Sequence, residues 1–368
     1  MKMNTEIILH ANKHIRNTRP KLQTNEVCQV FYENNLLEIG FLSKQCQNDL
    51  KGCCVMCDYG CAYDTKDNNT YIEEMKRILQ KYDGKFDCLL LCTNGSFMDK
   101  HQISNELYTR IIRESNKYKF PKLEIETHYH NVTSDKLDVL QQYTSNKEIT
   151  IEMGLETINE EIQNSLIKKG ISLDKYKKKI DMIHSYNFQV DINILLGMPL
   201  LTTQEQLDDA LATTNWAFNS GCNVVIFPVN IKPFTLLWEM YLNRLYQPIS
   251  NWLMIEYLIN IPSEKLGDVT VAWYGNREEY YECTEDRVVF PNSCPKCQKT
   301  LMEFFRKFNL LNTCNERKEL INELLLSKEC SCYQKMKEDL NAKDILDFSK
   351  RLEKCINWIQ SDLLNREA

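Results

Sequence analysis

Apolar residues in this chain fall into short runs separated by longer polar stretches. Five runs have the length and composition of strands: Phe86–Cys92 (FDCLLLC), Leu123–Thr127 (LEIET), Ile149–Leu155 (ITIEMGL), Val190–Gly197 (VDINILLG) and Val224–Val229 (VVIFPV). Between them, Tyr71–Tyr82, Asn105–Tyr118, Leu173–Tyr186 and Thr203–Asn219 carry apolar side chains at helical spacing. Strands alternating with helices predict βαβ units and a parallel sheet. Runs that are nearly apolar throughout predict strands covered on both faces. An α/β fold with an open or closed β/α barrel fits this pattern better than a flat sheet.

The alternation stops near Leu236–Ser263. Beyond it the pattern predicts helical segments over Thr300–Phe308, Arg317–Leu326 and Ala342–Leu364, with two further cysteine pairs. The expected organisation is a barrel with an N-terminal extension over 1–260 and a mainly helical, cysteine-rich subdomain over 261–368. There is no internal repeat and no low-complexity segment.

Composition narrows the class. The chain has 368 residues, 43% of them hydrophobic and 26% charged, enough for a sizeable core with an ordinary soluble surface. No apolar run is long enough to span a bilayer, and the N-terminal stretch MKMNTEIILHANKHIRNTRPKL lacks the apolar core of a signal peptide. The expectation is a cytoplasmic protein with no membrane partner. A net charge of −6 provides no basic footprint for nucleic acid. The local basic groups Lys168–Lys169 and Lys175–Lys179 read as solvated helix faces.

Cysteine changes the picture. The chain holds 16, mostly clustered. In a reducing compartment clustered thiols point to metal or redox chemistry rather than disulfides. In FLSKQCQNDLKGCCVMCDYGCAYDT, Cys54 and Cys57 form C-x2-C, and Cys46 lies far enough upstream for a loop to bring in a third thiolate. Three thiolates would leave one iron of a [4Fe–4S] cube open for the amino and carboxylate groups of S-adenosylmethionine (SAM). Cys53, Cys57 and Cys61 form another conceivable triplet, and four of the five local thiols would equally suit Zn²⁺. Spacing alone leaves zinc and iron–sulfur open.

Six segments in order carry a family resemblance. Thr93–Asp99 (TNGSFMD) resembles the T-x-GSFLD segment of the radical SAM group that includes the archaeosine synthase radical SAM subunit and, more distantly, the Elongator catalytic subunit. Cys54–Tyr59 (CVMCDY) is similar to that subunit's C-T-M-C-G-Y. Glu126–Thr133 (ETHYHNVT) is similar to its E-S-R-P-E-x-V-T. Gly154-Leu155-Glu156 followed by Asn159-Glu160 and Lys169-Gly170 resembles its GLE-S…N-D-E-I…KG run. Pro228–Thr235 (PVNIKPFT) resembles P-x-N-V-x-x-G-T. Cys294-x2-Cys297 and Cys330-x-Cys332 resemble its late cysteine pairs.

The resemblance implies a partial (β/α)6 radical SAM barrel with its cluster loop after the first strand. It implies a [4Fe–4S] cluster on Cys46, Cys54 and Cys57. SAM would lie against Asn94, Gly95 and Ser96 at the second strand end, Glu126 and Glu156 at the third and fourth, and Asn193 and Gly197 near the adenine. His128 and His130 stand where the family has an arginine and an acid; lying two apart on an extended strand end, both would face one side and contact substrate. Phe234 replaces a glycine before Thr235, and Asp58 a glycine beside the cluster. Cys294, Cys297, Cys330 and Cys332 supply four thiolates for structural Zn²⁺ or for a second, closed Fe–S cluster. Cys28, Cys88, Cys92, Cys222, Cys283, Cys314 and Cys355 are isolated and read as small buried hydrophobes.

The implied chemistry is a 5′-deoxyadenosyl radical that abstracts hydrogen from an unactivated C–H. If the resemblance extends to the reaction, C–N cleavage acts on a lysine adduct of 7-deazaguanine in tRNA. Implied partners are SAM, an electron donor protein and a partner enzyme that supplies the adduct. Two other readings stand beside it: a related radical SAM enzyme acting on a small metabolite or peptide, and a non-catalytic Zn-stabilised scaffold.

Overall fold

The computed structural model describes residues 2–19, 26–58, 66–272, 288–326, 330–342, 344 and 346–365. Its centre is one sheet of eight strands in sequential order, β1 (Cys28–Glu33), β2 (Leu36–Phe41), β3 (Cys88–Thr93), β4 (Lys122–Thr127), β5 (Glu148–Glu156), β6 (Gln189–Leu196), β7 (Asn223–Pro228) and β8 (Val269–Val271). β1 and β2 form an antiparallel hairpin; every later pairing is parallel. The sheet curls into a half-barrel. Helices Asn68–Tyr82, Asn105–Ser115, Ser134–Tyr143, Leu173–His184 and Thr203–Asn219 return the chain between successive parallel strands from β2 to β7 and cover the outer face. Thr203–Asn219 starts at a reciprocal cap: Thr202 Oγ1 accepts from the Glu205 backbone N–H at 3.2 Å, and the Glu205 carboxylate accepts from the Thr202 N–H at 2.8 Å.

The five apolar runs are β3 to β7, but their two faces differ. Leu89, Leu91, Leu123, Ile125, Ile151, Met153, Ile192 and Ile194 point outward into the helix layer and are fully buried there. The alternate positions point into the lumen and are largely polar: Glu124, Glu126, Glu152, Asp191 and Asn193. The expectation of strands apolar on both faces is therefore corrected, because the inner face lines a cavity. β1 and β2 are absent from the expected set. Their hairpin turns at Asn34, which takes a left-handed φ of 55°, and the polar positions of CQVFYENNLLEIGF mask it. β8, only three residues long, carries no usable pattern.

The stretch expected to be a boundary contains the helix Asn251–Ile259, buried from Asn251 to Leu258. A helix buried all round has no polar face to reveal its period. Beyond it come Pro295–Leu310, Cys314–Leu326, Ser331–Asn341 and Phe348–Trp358. The last starts six residues later than expected because Asp347 caps it, accepting from the Lys350 N–H at 2.9 Å. Leu301, Phe305, Phe308, Tyr333 and Met336 belong to the same contiguous apolar core as the sheet. A second, smaller core joins Ile8 and Ala11 of the helix Lys2–Asn17 to Cys53, Val55, Leu166, Leu237 and Ile359. Among the described residues no helix is long and apolar enough to cross a membrane.

Because the C-terminal helices share the sheet's core, they should not melt separately. Phe305→Ala is expected to cost about 3–5 kcal/mol in one cooperative transition. Calorimetry showing a first step confined to the tail would contradict this.

Candidate functional site

The cysteine loop follows β2 and is held from behind. Arg16, on the N-terminal helix and almost fully buried, donates to four of the loop's carbonyls: Asp49 at 2.7 Å, Cys53 at 2.6 Å, Cys54 at 2.7 Å and Cys57 at 3.0 Å. It also pairs with the Asp49 carboxylate at 2.8 Å. Asn12, one turn earlier, donates to Gly52 O at 3.0 Å and accepts from Leu236 N–H at 3.1 Å. Gly52 is required here: its φ is +82°, and a Cβ would lie 2.4 Å from the Leu9 carbonyl oxygen. From the front, Cys54 and Val55 donate to the carbonyls of Ile167 and Leu166 at 2.9 and 3.0 Å. Cys54 itself takes a left-handed φ of 57°.

With its carbonyls turned back, the loop presents Cys46, Cys54 and Cys57 to a cavity of about 1370 Å³ inside the half-barrel. Cys53 does not reach it; its thiol lies 3.2 Å from Lys168 O. Cys61 and Tyr59 lie outside the described residues. Burial pushes the Cys57 thiol up to about 12, with Lys232 pulling the other way, and raises Cys54 further against the pull of Lys169. Buried thiols so placed need positive charge to become thiolates.

Asn94, Gly95, Glu126, His128, Glu156 and Asn193 line the same cavity. Gly95 lies directly on Cys46, where a Cβ would come within 2.9 Å of Cys46 Cβ and 3.1 Å of its Sγ. Ser96 is buried behind the wall. Its hydroxyl is 2.7 Å from Thr127 Oγ1 and accepts from His128 N–H at 3.0 Å and Asn131 Nδ2 at 2.8 Å, so it braces the end of β4. Gly197 also lies off the cavity, with φ +107° and its carbonyl accepting from Tyr246 Oη at 2.6 Å.

The two histidines part. Residues Tyr129–Asn131 form a 3-10 turn, so the extended geometry that would put both on one side does not hold. His128 is buried and lines the cavity; His130 is exposed and does not. Burial, reinforced by Lys169, holds His128 well below the usual imidazole range, so its ring is neutral. Its Nδ1 accepts from His130 N–H at 3.4 Å, which assigns the proton to Nε2; that atom has no partner.

Two lysines complete the wall, and neither is a solvated surface charge. Lys169, expected on a solvated face, is half-buried and pairs with Glu156 at 2.5 Å; burial alone would lower its pKa, but Glu156 and the nearby thiols raise it. The Glu156 carboxylate passes over Gly154, where a Cβ would sit 2.6 Å from Glu156 Oε1, and the β5–β6 register shifts at this point. Lys232, beyond β7, pairs with Asp58 at 2.7 Å.

In the C-terminal region, Cys294 and Cys297 at the start of Pro295–Leu310 meet Cys330 and Cys332 at the start of Ser331–Asn341. Their sulfurs lie within 4.8 Å of one another, a group able to hold a metal ion. Cys330 Sγ is 3.4 Å from both Cys294 Sγ and Cys332 Sγ, and Trp252 Nε1 donates to Cys332 Sγ at 3.3 Å. The backbone N–H of Cys332 and the neighbouring thiols lower Cys330 to about 6.

No family model matches the chain. It is 22% identical over 323 residues to an uncharacterised protein of Methanocaldococcus jannaschii, covering 84% of this chain and 82% of that one. It is also 22% identical over 281 residues to the archaeosine synthase beta subunit of Thermococcus kodakarensis, covering 73% of this chain and 86% of that one. The chain is a distant relative of that subunit. The sheet is a curled α/β half-barrel with the cysteine loop after its first parallel strand, the arrangement that the sequence resemblance implies. Among solved structures, methylornithine synthase superposes with a TM-score of 0.46 at 12% identity over 87% of this chain and 93% of that one. Elp3 of Methanocaldococcus infernus gives a TM-score of 0.45 at 16% identity over 67% of this chain, which spans 59% of the Elp3 chain.

The two positions where the sequence resemblance leads one to expect glycine have a physical reading. Asp58 is matched by Lys232, which closes a buried ion pair beside Cys57. Phe234 keeps the backbone a glycine would adopt, with φ 59°, at a strain of about 1–2 kcal/mol. Thr235 then caps Leu236–Leu242 by accepting from Trp238 N–H at 3.1 Å.

The Arg16 clamp sets an expectation for stability. Arg16→Met leaves the Asp49 carboxylate buried without that partner and should destabilise the protein by about 3–5 kcal/mol. Adding Asp49→Asn should recover part of the loss. Thermal melts of the single and double variants check this; a neutral Arg16→Met would refute the clamp.

Proposed function

We propose that the chain is a radical SAM enzyme in which Cys46, Cys54 and Cys57 hold a [4Fe–4S] cluster and SAM lies against the adjoining strand ends. The observation that carries this reading is the convergence of the three thiols on one cavity with Asn94, Gly95, Glu126 and Glu156. The residues fit the group. Three thiols face the cavity while Cys53 turns away, and Gly95, with no side chain, lets the backbone pack directly against Cys46. When bound, the cluster supplies the electron that cleaves SAM to a 5′-deoxyadenosyl radical able to abstract hydrogen from an unactivated C–H.

The chain's own residues orient and shield. Arg16 and Asn12 fix the loop, and Lys169 fixes Glu156 above Gly154. His128 offers a neutral Nε2–H donor to a substrate acceptor. Kinship with the archaeosine synthase beta subunit supports C–N cleavage of a lysine adduct of 7-deazaguanine in tRNA, with a partner enzyme supplying the adduct and an electron donor protein reducing the cluster. The net charge of −6 favours a second reading, a related enzyme whose substrate is a small metabolite or peptide. Binding to tRNA at moderate salt separates them.

The late quartet suits a single structural Zn²⁺. Tetrahedral bonds of about 2.3 Å place sulfurs about 3.8 Å apart, and these sulfurs already lie within 4.8 Å. A closed cube, with an iron at each ligated corner, would spread them further.

Two experiments test these readings. Ala at Cys46, Cys54 or Cys57 should abolish both the reducible cluster and 5′-deoxyadenosine formation after anaerobic reconstitution, whereas Cys53→Ala should keep both; cluster loss only in Cys53→Ala would reverse the assignment. Metal analysis should find one zinc per chain. Cys294→Ser should lose it and lower the melting temperature while 5′-deoxyadenosine still forms; a quartet that carries iron instead would overturn the zinc reading.

A further inference from the structure

Below the cysteine loop the lumen wall carries acids in an arrangement that folding alone does not favour. Strand register sets Glu126 of β4 beside Glu152 of β5, and Glu152 beside Asp191 of β6. Glu124 lies two residues before Glu126 and faces the same cavity. Like charges opposite one another across neighbouring strands destabilise a sheet. The hydrogen-bond partners of Glu124, Glu152 and Asp191 other than one another are neutral. Cys88 Sγ lies 3.6 Å from Glu124, Asn223 Nδ2 donates to Asp191 at 2.9 Å, and Asn193 serves Glu152. Lys122, at the lower rim, acts on Asp191 and also pairs with Glu148 at 3.4 Å. Lys169 is taken by Glu156.

A second observation points to a ligand. Asn193 lies two residues beyond Asp191 on β6, with 6% of its surface exposed, and lines the cavity; its Oδ1 has no hydrogen-bond partner. Even with one proton shared between Glu124 and Asp191, the remaining carboxylate oxygens and this amide oxygen accept hydrogen bonds, so their complement is a donor carrying positive charge. We propose that the inner faces of β4, β5 and β6 form a subsite for an organic cation, an ammonium or amidinium group of the substrate, seated in the lumen beneath the cysteine loop. A metal ion is a poorer fit: among the described residues, only the C-terminal cysteine quartet gathers three or more ligand atoms at metal-binding separation. Burial and the neighbouring carboxylates raise Glu152 well above the usual range, and burial with Asp191 raises Glu124 to about 8, as expected of acids whose counter-charge is a ligand.

The subsite rests on the enzyme reading only in taking the lumen as the substrate's place, so its test avoids turnover. Titration calorimetry with 1,5-diaminopentane would be run on the reconstituted holoprotein and on Cys46→Ala. Both should bind it, and neither should bind 1,5-pentanediol or glutarate. Glu152→Gln and Asp191→Asn should each weaken binding at least tenfold while keeping or raising the melting temperature of the free protein. Should Asp191→Asn fail to fold, Glu124→Gln gives the same readout. No diamine binding, equal binding of the diol, unchanged affinity in the variants, or Mn²⁺ binding lost in the same variants would each overturn the subsite. If the unsubstituted protein assembles no cluster on reconstitution yet binds the diamine, the enzyme reading fails and the subsite stands.

Discussion

A loop that turns three thiols toward one cavity must turn its carbonyls the other way, and buried carbonyls need donors. Arg16 answers that need with one guanidinium that reaches Asp49, Cys53, Cys54 and Cys57. The planar fork of arginine can serve several acceptors at once; lysine, with its compact point charge, does not match that geometry. The helix Lys2–Asn17 is therefore part of the site although none of its residues lines the cavity.

The rest of the architecture follows from holding that loop still. The smaller core packs the first helix against the loop, the turn after β5 and the last helix described, so both ends of the described chain bear on the cysteines. Left-handed residues gather here: Cys54, Glu156, Lys168 and Phe234 all have φ between 55° and 70°. Strain of this kind persists where the surroundings over-determine the backbone, commonly at functional sites. The larger core fixes the outer face of the sheet and the C-terminal helices together, leaving the inner face free to be polar.

How much of this was legible in the sequence depended on the range of the signal. The central strands, the principal helices and the C-x7-C-x2-C thiols are local patterns, and they were readable. The Arg16 contacts join residues 33 to 41 apart, and nothing near Arg16 marks it as different from any basic residue late in a helix. Lys169 and Lys232 look like surface charges until the fold pairs them with Glu156 and Asp58. The alternation of acids along LEIET and ITIEMGL was present, but frequent Leu and Ile disguised it as a continuous apolar run. The 3-10 turn at Tyr129 separates His128 from His130, and no sequence period announces a single turn.

The central claim is that the three thiols of this loop build a cluster with one iron open to SAM. Electron paramagnetic resonance of the anaerobically reconstituted, dithionite-reduced protein, recorded with and without SAM, tests it most directly. The account predicts a [4Fe–4S]⁺ signal whose g values shift when SAM is added. A protein that binds no iron at Cys46, Cys54 and Cys57, or a cluster signal indifferent to SAM, would contradict it.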